Sequence, residues 1–460
     1  MKNKDQYKRL ILLLASGILL TMQTGIFVWT WYNSYAEVGS NYFVRGNYIV
    51  IALYALMTFF FYHLFGGFRI GQMRVFEMLY TQILSVLSTN AVTYLQLCLI
   101  GRWQFLTNFR PMIHMTLVDL AVVLTWSLFV KWGHWMLFPP RKMLLVYGAY
   151  SPDNLIRKVE ARKDRYAIEE TICIDRDLEL IKEKILHYGV VVLTDIPAEI
   201  RNQLLKFCFE HNVRCYCVPK ISDIMIRSAD SIHLFDTTLL VFRNLGLTAE
   251  QRFLKRAFDI ILALVVCVVT APLMGLIALA IKICDGGPVF FAQERLTKDG
   301  KVFLLYKFRS MRASSQEQYC LTRKQDDRVT AVGKFLRVSH LDELPQVYNI
   351  LKGDMSFVGP RPECPELAEE YTKIVPEFAY RLKVKAGLTG YAQVYGQYNT
   401  TPYDKLKLDL CYTSGYSFLL DLRLIVLTLK ILLQKEKTEG IEPWQTSAAT
   451  HEESEKIGSK

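Results

Sequence analysis

Charge is scarce in this chain of 460 residues: Asp, Glu, Lys and Arg supply 22% of it, against 51% hydrophobic and 13% aromatic residues. A composition so apolar excludes a disordered or wholly water-soluble chain and makes a membrane protein the first expectation. Acidic residues are the rarer sign, 44 against 55 Lys and Arg, leaving a net charge of +11. On a membrane-facing chain that excess points to anionic lipid or phosphorylated substrates. No DNA- or RNA-binding pattern occurs, so no nucleic-acid partner is expected. Ten cysteines are present, yet none stands in a Cys-x-x-Cys pair or at Cys/His zinc spacing. Free thiols in a reducing compartment are the expectation.

What is abundant is uncharged length. Residues of about 10–32, 46–66, 76–100 and 112–133 form four apolar stretches within 1–140, each able to cross roughly 30 Å of hydrocarbon as a helix. Ser85, Ser88, Thr89 and Asn90 interrupt the third, which should either pack against its neighbours or be the least secure span. Lys2, Lys4, Lys8 and Arg9 precede the first span and only Arg45 lies in the loop after it. The positive-inside rule therefore starts the chain in the cytoplasm, and four crossings return residue 141 there. The first span is too long for a signal-peptide core and lacks a small-residue cleavage site, so it should stay in the mature protein.

Over 141–248 short apolar runs alternate with amphipathic segments: MLLVYG, Pro152–Arg162, TICID, Leu178–His187, VVVLT, Ala198–His211, CYCVP. Strand, helix, strand in repetition predicts a doubly wound parallel sheet of Rossmann type. The first turn, Gly148-Ala149-Tyr150-Ser151-Pro152-Asp153, holds one glycine where a dinucleotide fingerprint needs three, so a structural or regulatory domain is expected rather than a cofactor site. A sugar reductase or epimerase would need a helical Tyr-x-x-x-Lys, and Tyr216 to Lys220 falls instead on an apparent strand interrupted by Pro219.

Residues 249–435 form a third region. Its uncharged run Ile260–Ile281 holds one proline, Pro272, and two topologies fit: a fifth crossing, or a helix over 255–282 that enters one leaflet, breaks at Ala271-Pro272 and leaves on the same side. In the second, a polar side chain such as Thr270 would satisfy the freed backbone. Leu419–Leu433 is an apolar helix interrupted by Asp421, Arg423 and Lys430, suited to the membrane interface or to docking on that segment. The tail, 436–460, is charged and aperiodic, and disorder is expected.

Chemistry-bearing residues concentrate in this region. Lys301, Lys307, Arg309, Arg312, Arg328, Lys334, Arg337, Lys352 and Arg361 form a basic cluster set among aromatics, glycines and prolines, as phosphate grips are. Within it, Ser339-His340-Leu341-Asp342-Glu343-Leu344-Pro345-Gln346 predicts a helix opening at Pro345. Ser339 stands at capping-box spacing from Asp342, and both carboxylates lie beside a helix N-terminus that would lower an aspartate pKa. They are either active carboxylates or ordinary N-terminal helix charges, while His340 reads as packing or solvent-exposed.

Lys255-Arg256-Ala-Phe-Asp259, Gly287-Pro288-Val-Phe-Phe-Ala-Gln293-Glu-Arg295, Lys307-Phe-Arg309-Ser-Met311, Leu341-Asp342-Glu343-Leu-Pro-Gln346, Lys352-Gly-Asp354-Met-Ser and Val358-Gly-Pro-Arg361-Pro resemble, in order, the bacterial sugar transferases, in their long exopolysaccharide- and capsule-initiating form. The resemblance covers 250–433, with two departures: Thr297 where a glycine is usual, and Ala386 where a proline is usual before Gly387. It implies a monotopic catalytic domain with a re-entrant helix, alongside four transmembrane helices and a degenerate Rossmann-like domain, on the cytoplasmic face of a bacterial inner membrane. It also implies transfer of a hexose 1-phosphate from a UDP-sugar to undecaprenyl phosphate with release of UMP; the motifs do not specify the sugar, and glucose, then galactose, is the expectation. Asp342 would be the nucleophile and a ligand of Mg²⁺, with Glu343 assisting by deprotonating or positioning the lipid phosphate. Lys307, Arg309, Arg337 and Arg361 would hold phosphate oxygens. Membrane lipid and a second copy of the chain are the other expected partners. A noncatalytic assembly scaffold is the alternative, one that would tolerate loss of Asp342.

Overall fold

The computed structural model describes residues 7–35, 44–69, 71, 73, 75–101, 103, 108–160, 162–242, 246–311, 329–396 and 400–432. Arg312, Arg328, Cys320 and the tail 436–460 lie outside the described residues. Two compact units divide the chain, Met1–Lys142 with Lys158–Ala167, and Met143–Arg157 with Ile168–Lys460.

In the first unit, helices α1 (Lys8–Thr30, prolonged by a π-turn at Trp31–Tyr35), α2 (Val44–Phe65), α3 (Val75–Ile100) and α4 (Arg110–Leu137) coincide with the four expected spans. The polar residues of α3 recur at helical spacing, and Thr81, Gln82, Ser85, Thr89, Asn90 and Thr93 are all buried. Of the two expectations for the third span, packing against its neighbours holds. The Asn90 amide donates to Thr116 Oγ1 and to Asp119 Oδ2, both at 3.0 Å, and its carbonyl accepts from the Tyr54 hydroxyl at 3.1 Å. Leu13, Ile49, Leu56 and Phe129 are exposed, as lipid-facing positions require.

The second unit opens on strands and helices in the expected order: β1 (Arg141–Tyr147), α5 (Asp153–Glu160), β2 (Tyr166–Cys173), α6 (Leu178–Tyr188), β3 (Val190–Thr194), α7 (Ala198–Glu210) and β4 (Arg214–Cys217). Sheet order is β2-β1-β3-β4, with β1 parallel to β3 and β3 to β4. Leu144, Val146, Val191 and Leu193 meet Ile181, Ile185 and Leu204 in its core. A Cβ on Gly148 would lie 2.0 Å from the Asp195 carbonyl oxygen, and the Tyr150 amide donates to the Asp195 carboxylate at 3.2 Å. An internal carboxylate thus takes an amide that a nucleotide phosphate would need. Helix α8 (Ile221–Arg227) and a hairpin absent from the sequence expectation, β5 (Asp230–Leu234) and β6 (Thr237–Val241), follow.

Helix α9 (Ala249–Asp285) starts at a capping box in which Thr248 and Gln251 satisfy each other's amides. It continues as helix through Ala271 and Pro272. Thr270 does not serve the Val268 carbonyl that Pro272 leaves without its helical donor; its hydroxyl donates to the Val266 carbonyl at 2.7 Å. The antiparallel pair β7 (Phe290–Leu296) and β8 (Val302–Phe308) follows, then α10 (Ala331–Val338), a 3₁₀ turn at Leu341–Glu343, α11 (Gln346–Lys352) and β9 (Met355–Val358). The fold closes with α12 (Pro365–Ile374), a 3₁₀ stretch at Pro376–Lys383, β10 (Ala386–Thr389) parallel to β9, α13 (Tyr391–Tyr395), α14 (Pro402–Ser414) and α15 (Phe418–Leu432). Ala263 of α9, Leu305, Ile350, Met355 and Leu424 share one core. The buried Asp421 of α15 accepts from Lys255 of α9 at 2.7 Å and from Tyr412 at 2.8 Å, so α15 docks on α9, the second of its two expected placements.

Cys98, Cys173, Cys208, Cys215, Cys217, Cys267, Cys284 and Cys411 are free, as expected. Cys364 is not: it is disulfide-bonded.

Candidate active site

Period-two alternation on β8 turns Phe303 and Leu305 inward, and the same row ends at Lys307. Its ammonium lies 3.0 Å from Glu343 Oε1, and Arg361 reaches the same oxygen at 3.5 Å. Immediately after β8, Arg309 is 2% exposed. The backbone passes it only because residue 287 is glycine, since a Cβ there would meet Nη1 at 1.9 Å. In the last turn of α10, Arg337 donates through Nε to Ser310 Oγ at 2.9 Å. Close packing at Gly333, whose Cβ would lie 2.0 Å from the Ser310 carbonyl, holds that helix against the strand exit.

The two carboxylates occupy the 3₁₀ turn between α10 and α11 and live in different environments. Burial pushes the pKa of Glu343 up, but Lys307 and Arg361 outweigh it and hold the carboxyl down at about 2. Asp342, 8% exposed, makes no ion pair among the described residues. Burial raises its pKa, and Lys307, His340 and Arg337 offset this only in part while Glu343 adds to it. The expectation that a helix N-terminus would lower this aspartate is corrected: desolvation outweighs the dipole of the seven-residue α11. Ser339 also departs from the capping box, because its hydroxyl donates backward to the Phe335 carbonyl at 2.8 Å and closes α10.

Lys307, Arg337, Arg361, Asp342 and Glu343 are therefore brought together. Arg309 packs beside them against Gly287. Lys352 pairs with Asp354 at 3.0 Å instead, Lys301 and Lys334 are exposed, and Ala271 and Pro272 belong to α9. Two neighbours, His340 and Arg295, are not among the site residues expected from the sequence. His340 adopts φ +55°, a strained value for a residue with a side chain, and its Nε2 is buried without a hydrogen-bond partner among the described residues. Arg295 spans Gln293 Oε1 at 2.7 Å and the Pro362 carbonyl at 3.2 Å, and burial, then Arg361, lowers its pKa. Among the described residues no group of three or more His, Cys, Asp or Glu surrounds a metal-sized space. Asp342, with no ion pair among the described residues, could serve as a single protein ligand to Mg²⁺, an ion that completes its shell with phosphate and water.

Residues 250–435 match the family described as bacterial sugar transferase. A UDP-N-acetylgalactosamine-undecaprenyl-phosphate N-acetylgalactosaminephosphotransferase of Aeromonas hydrophila is 34% identical over 302 residues, 64% of this chain and 67% of that protein. The chain belongs to the bacterial sugar transferase family. Two further relatives are a UDP-glucose:undecaprenyl-phosphate glucose-1-phosphate transferase of Xanthomonas campestris pv. campestris, 36% identical over 51% of this chain and 50% of its own length, and an undecaprenyl-phosphate galactose phosphotransferase of Salmonella typhimurium, 36% identical over 48% and 49%. The chain thus spans about half the length of these two relatives. In this sugar transferase the two family departures touch: Thr297 Oγ1 accepts from the Ala386 amide at 3.2 Å and donates to the Asp354 carbonyl at 2.7 Å. A hydroxyl that glycine lacks satisfies a buried N–H that proline lacks.

Proposed function

We propose that this chain transfers a hexose 1-phosphate from a UDP-sugar to undecaprenyl phosphate and so initiates exopolysaccharide or capsule synthesis on the cytoplasmic face of the membrane. The observation that carries the reading is the split between two adjacent carboxylates. Glu343 is paired with Lys307 and Arg361, while Asp342 is buried and makes no ion pair among the described residues, leaving its carboxyl oxygens free of a salt bridge there. In the first step an Asp342 oxygen attacks the sugar-bearing phosphorus, the bond from that phosphorus to the UMP oxygen breaks, and UMP leaves. In the second, an oxygen of undecaprenyl phosphate attacks the same phosphorus and Asp342 departs as carboxylate, forming the polyprenyl diphosphate sugar. Lys307, Arg309, Arg337 and Arg361 stabilise charge spread over the transferred group. With a pKa near 2, Glu343 is a poor base at neutral pH; it acts by positioning Lys307 and Arg361. Asp342 is the residue that would hold Mg²⁺, which when bound neutralises the diphosphate. Glucose or galactose is the expected donor sugar, in line with the names of two relatives.

The re-entrant topology belongs to this reading. Ala263, before Pro272, packs with Leu305 and Ile350, while Ile277 and Ile281, after it, pack with Phe308 and Leu336. The two halves of α9 rest on two apolar clusters of the same unit, which supports entry and exit on the same side, although the helix itself runs through Pro272. The doubly wound domain is assigned no step in this chemistry, a reading supported by the bond from the Tyr150 amide to Asp195 in its first turn.

The test is intact-protein mass spectrometry after exposure to UDP-sugar without lipid acceptor, paired with UMP release. A hexose-phosphate adduct on the Asp342 peptide, absent in Asp342→Asn and discharged by undecaprenyl phosphate, is the expected result. UMP formed only with acceptor present, and no adduct, would establish direct displacement instead.

A further inference from the structure

Residues 360–363 have a backbone problem that the sequence creates. Pro360 and Pro362 carry no amide hydrogen, so the segment cannot build a ladder of its own. Its carbonyls are instead held from outside, one by one. Pro360 O accepts from the Gly387 amide at 2.9 Å, Arg361 O from Arg381 Nη2 at 3.0 Å, Pro362 O from Arg295 at 3.2 Å, and Glu363 O from the Leu296 amide at 2.9 Å. Three of these donors are backbone amides or an arginine on β7, already placed by strand pairing. The fourth, Arg381, comes from the 3₁₀ stretch Pro376–Lys383 and needs a means of being held.

That means is a buried ion network. Arg381 is 1% exposed; its Nε and Nη2 lie 2.8 Å from Asp409 Oδ2 and its Nη1 lies 3.2 Å from Glu363 Oε1. Lys405 also pairs with Glu363. Two cations and two anions leave the cluster neutral, with the guanidinium fork oriented by carboxylates on two sides. Replacing such a cluster with apolar side chains of equal volume is commonly neutral or favourable for stability, so stability alone does not account for it. What apolar side chains cannot supply is the hydrogen bond that Arg381 gives to the Arg361 carbonyl. Arg361 itself projects from this held backbone, its side chain 46% exposed and 3.5 Å from Glu343.

We propose that Arg381 is a positioning residue for the transfer, fixing the backbone of Arg361 so that its guanidinium meets the substrate phosphate in one orientation. The proposal rests on the assignment of Arg361 as a phosphate grip. A lysine at 381 keeps the charge but cannot reach Asp409, Glu363 and the Arg361 carbonyl at once.

The experiment is a double-mutant cycle on the full chain in nanodiscs, reading kcat and KM for UMP release together with the melting temperature. Arg381→Lys should lower kcat/KM about 10- to 100-fold with a melting temperature close to wild type. In an Arg361→Ala background the same change should cost less than about threefold, because its route to the substrate is already gone. Should Arg381→Lys not fold, Glu363→Gln carries the same cycle, since its amide oxygen still accepts from Arg381 while the charge that orients the fork is lost. Equal losses in both backgrounds would overturn the positioning role and leave the phosphate grip standing. Full activity in Arg361→Ala alone would overturn the grip, and the positioning role with it.

Discussion

Two regions of this molecule bury carboxylates and treat them in opposite ways. In the membrane-spanning bundle, Asp119 is 0% exposed and is met by Asn90, an uncharged amide, with no cation paired to it among the described residues. In the catalytic unit, Glu363 and Asp409, at 7% and 1% exposure, are met by Arg381 and Lys405. The difference follows from what the backbone needs. Every amide and carbonyl inside a long helix is already paired, so side chains within the bundle have only to choose neighbours and register. The catalytic unit is built from short strands, 3₁₀ turns and a proline-punctuated loop, whose carbonyls have no internal partners, and fixed charges hold them. Asp342 obeys neither rule. It is buried in the charged region without an ion pair among the described residues, as a group with a chemical task would be.

The largest effect expected from this contrast is at Asp342. Asp342→Asn should lower UMP release by on the order of a thousandfold or more, since an amide is no nucleophile. Its stability should move the other way. The folded pKa of Asp342 is raised, so its ionisation opposes folding as pH climbs above the unfolded value of 3.8. Thermal unfolding at pH 7 should find Asp342→Asn as stable as wild type or more so. A strongly destabilised variant would mean that Asp342 is a structural charge like Glu363.

Burial raises the pKa of Asp409 and Arg381 offsets this only in part, yet Asp409→Asn should cost about 3–5 kcal/mol in denaturant unfolding, because the buried cluster of Arg381, Lys405 and Glu363 is left with one excess positive charge. A cost under about 1 kcal/mol would erase the distinction between the two regions.

Glu363 sharpens it along the pH axis. Burial would raise its pKa, but Lys405 and Arg381 bring it down to about 2 from 4.5. The stability this group supplies is present above pH 4.5 and lost as pH falls toward 2. Acid unfolding of Glu363→Gln should be flatter than wild type across that window.

A smaller effect is expected where Thr297 meets Ala386. Thr297→Val leaves the Ala386 amide and the Asp354 carbonyl unsatisfied and should cost about 1–3 kcal/mol. Adding Ala386→Pro removes the orphaned donor and should recover part of that loss; simple additivity would mean the two departures are independent. Smallest of all should be Asp119→Asn, under about 1 kcal/mol, measured by melting in detergent micelles. A loss as large as that of Asp409→Asn would require a cation or charged partner for Asp119.

Periodicity and composition alone determined the four apolar spans, the alternating segments of the doubly wound sheet and the basic, carboxylate-bearing stretch around Asp342, because these depend on spacings of two or about four residues along the chain. The hairpin at 230–241 escaped notice because its strands bury nothing and its alternation carries no core signal. Tertiary structure alone decided everything that rests on desolvation and on partners distant in sequence. It reversed the expected pKa shift of Asp342, turned Ser339 back toward α10, joined Thr297 to Ala386 across 89 positions, and brought Arg381 to the carbonyl of Arg361. Burial and pairing of this kind belong to a three-dimensional environment, and a local pattern of residue types holds no record of which distant group will supply the missing donor or charge.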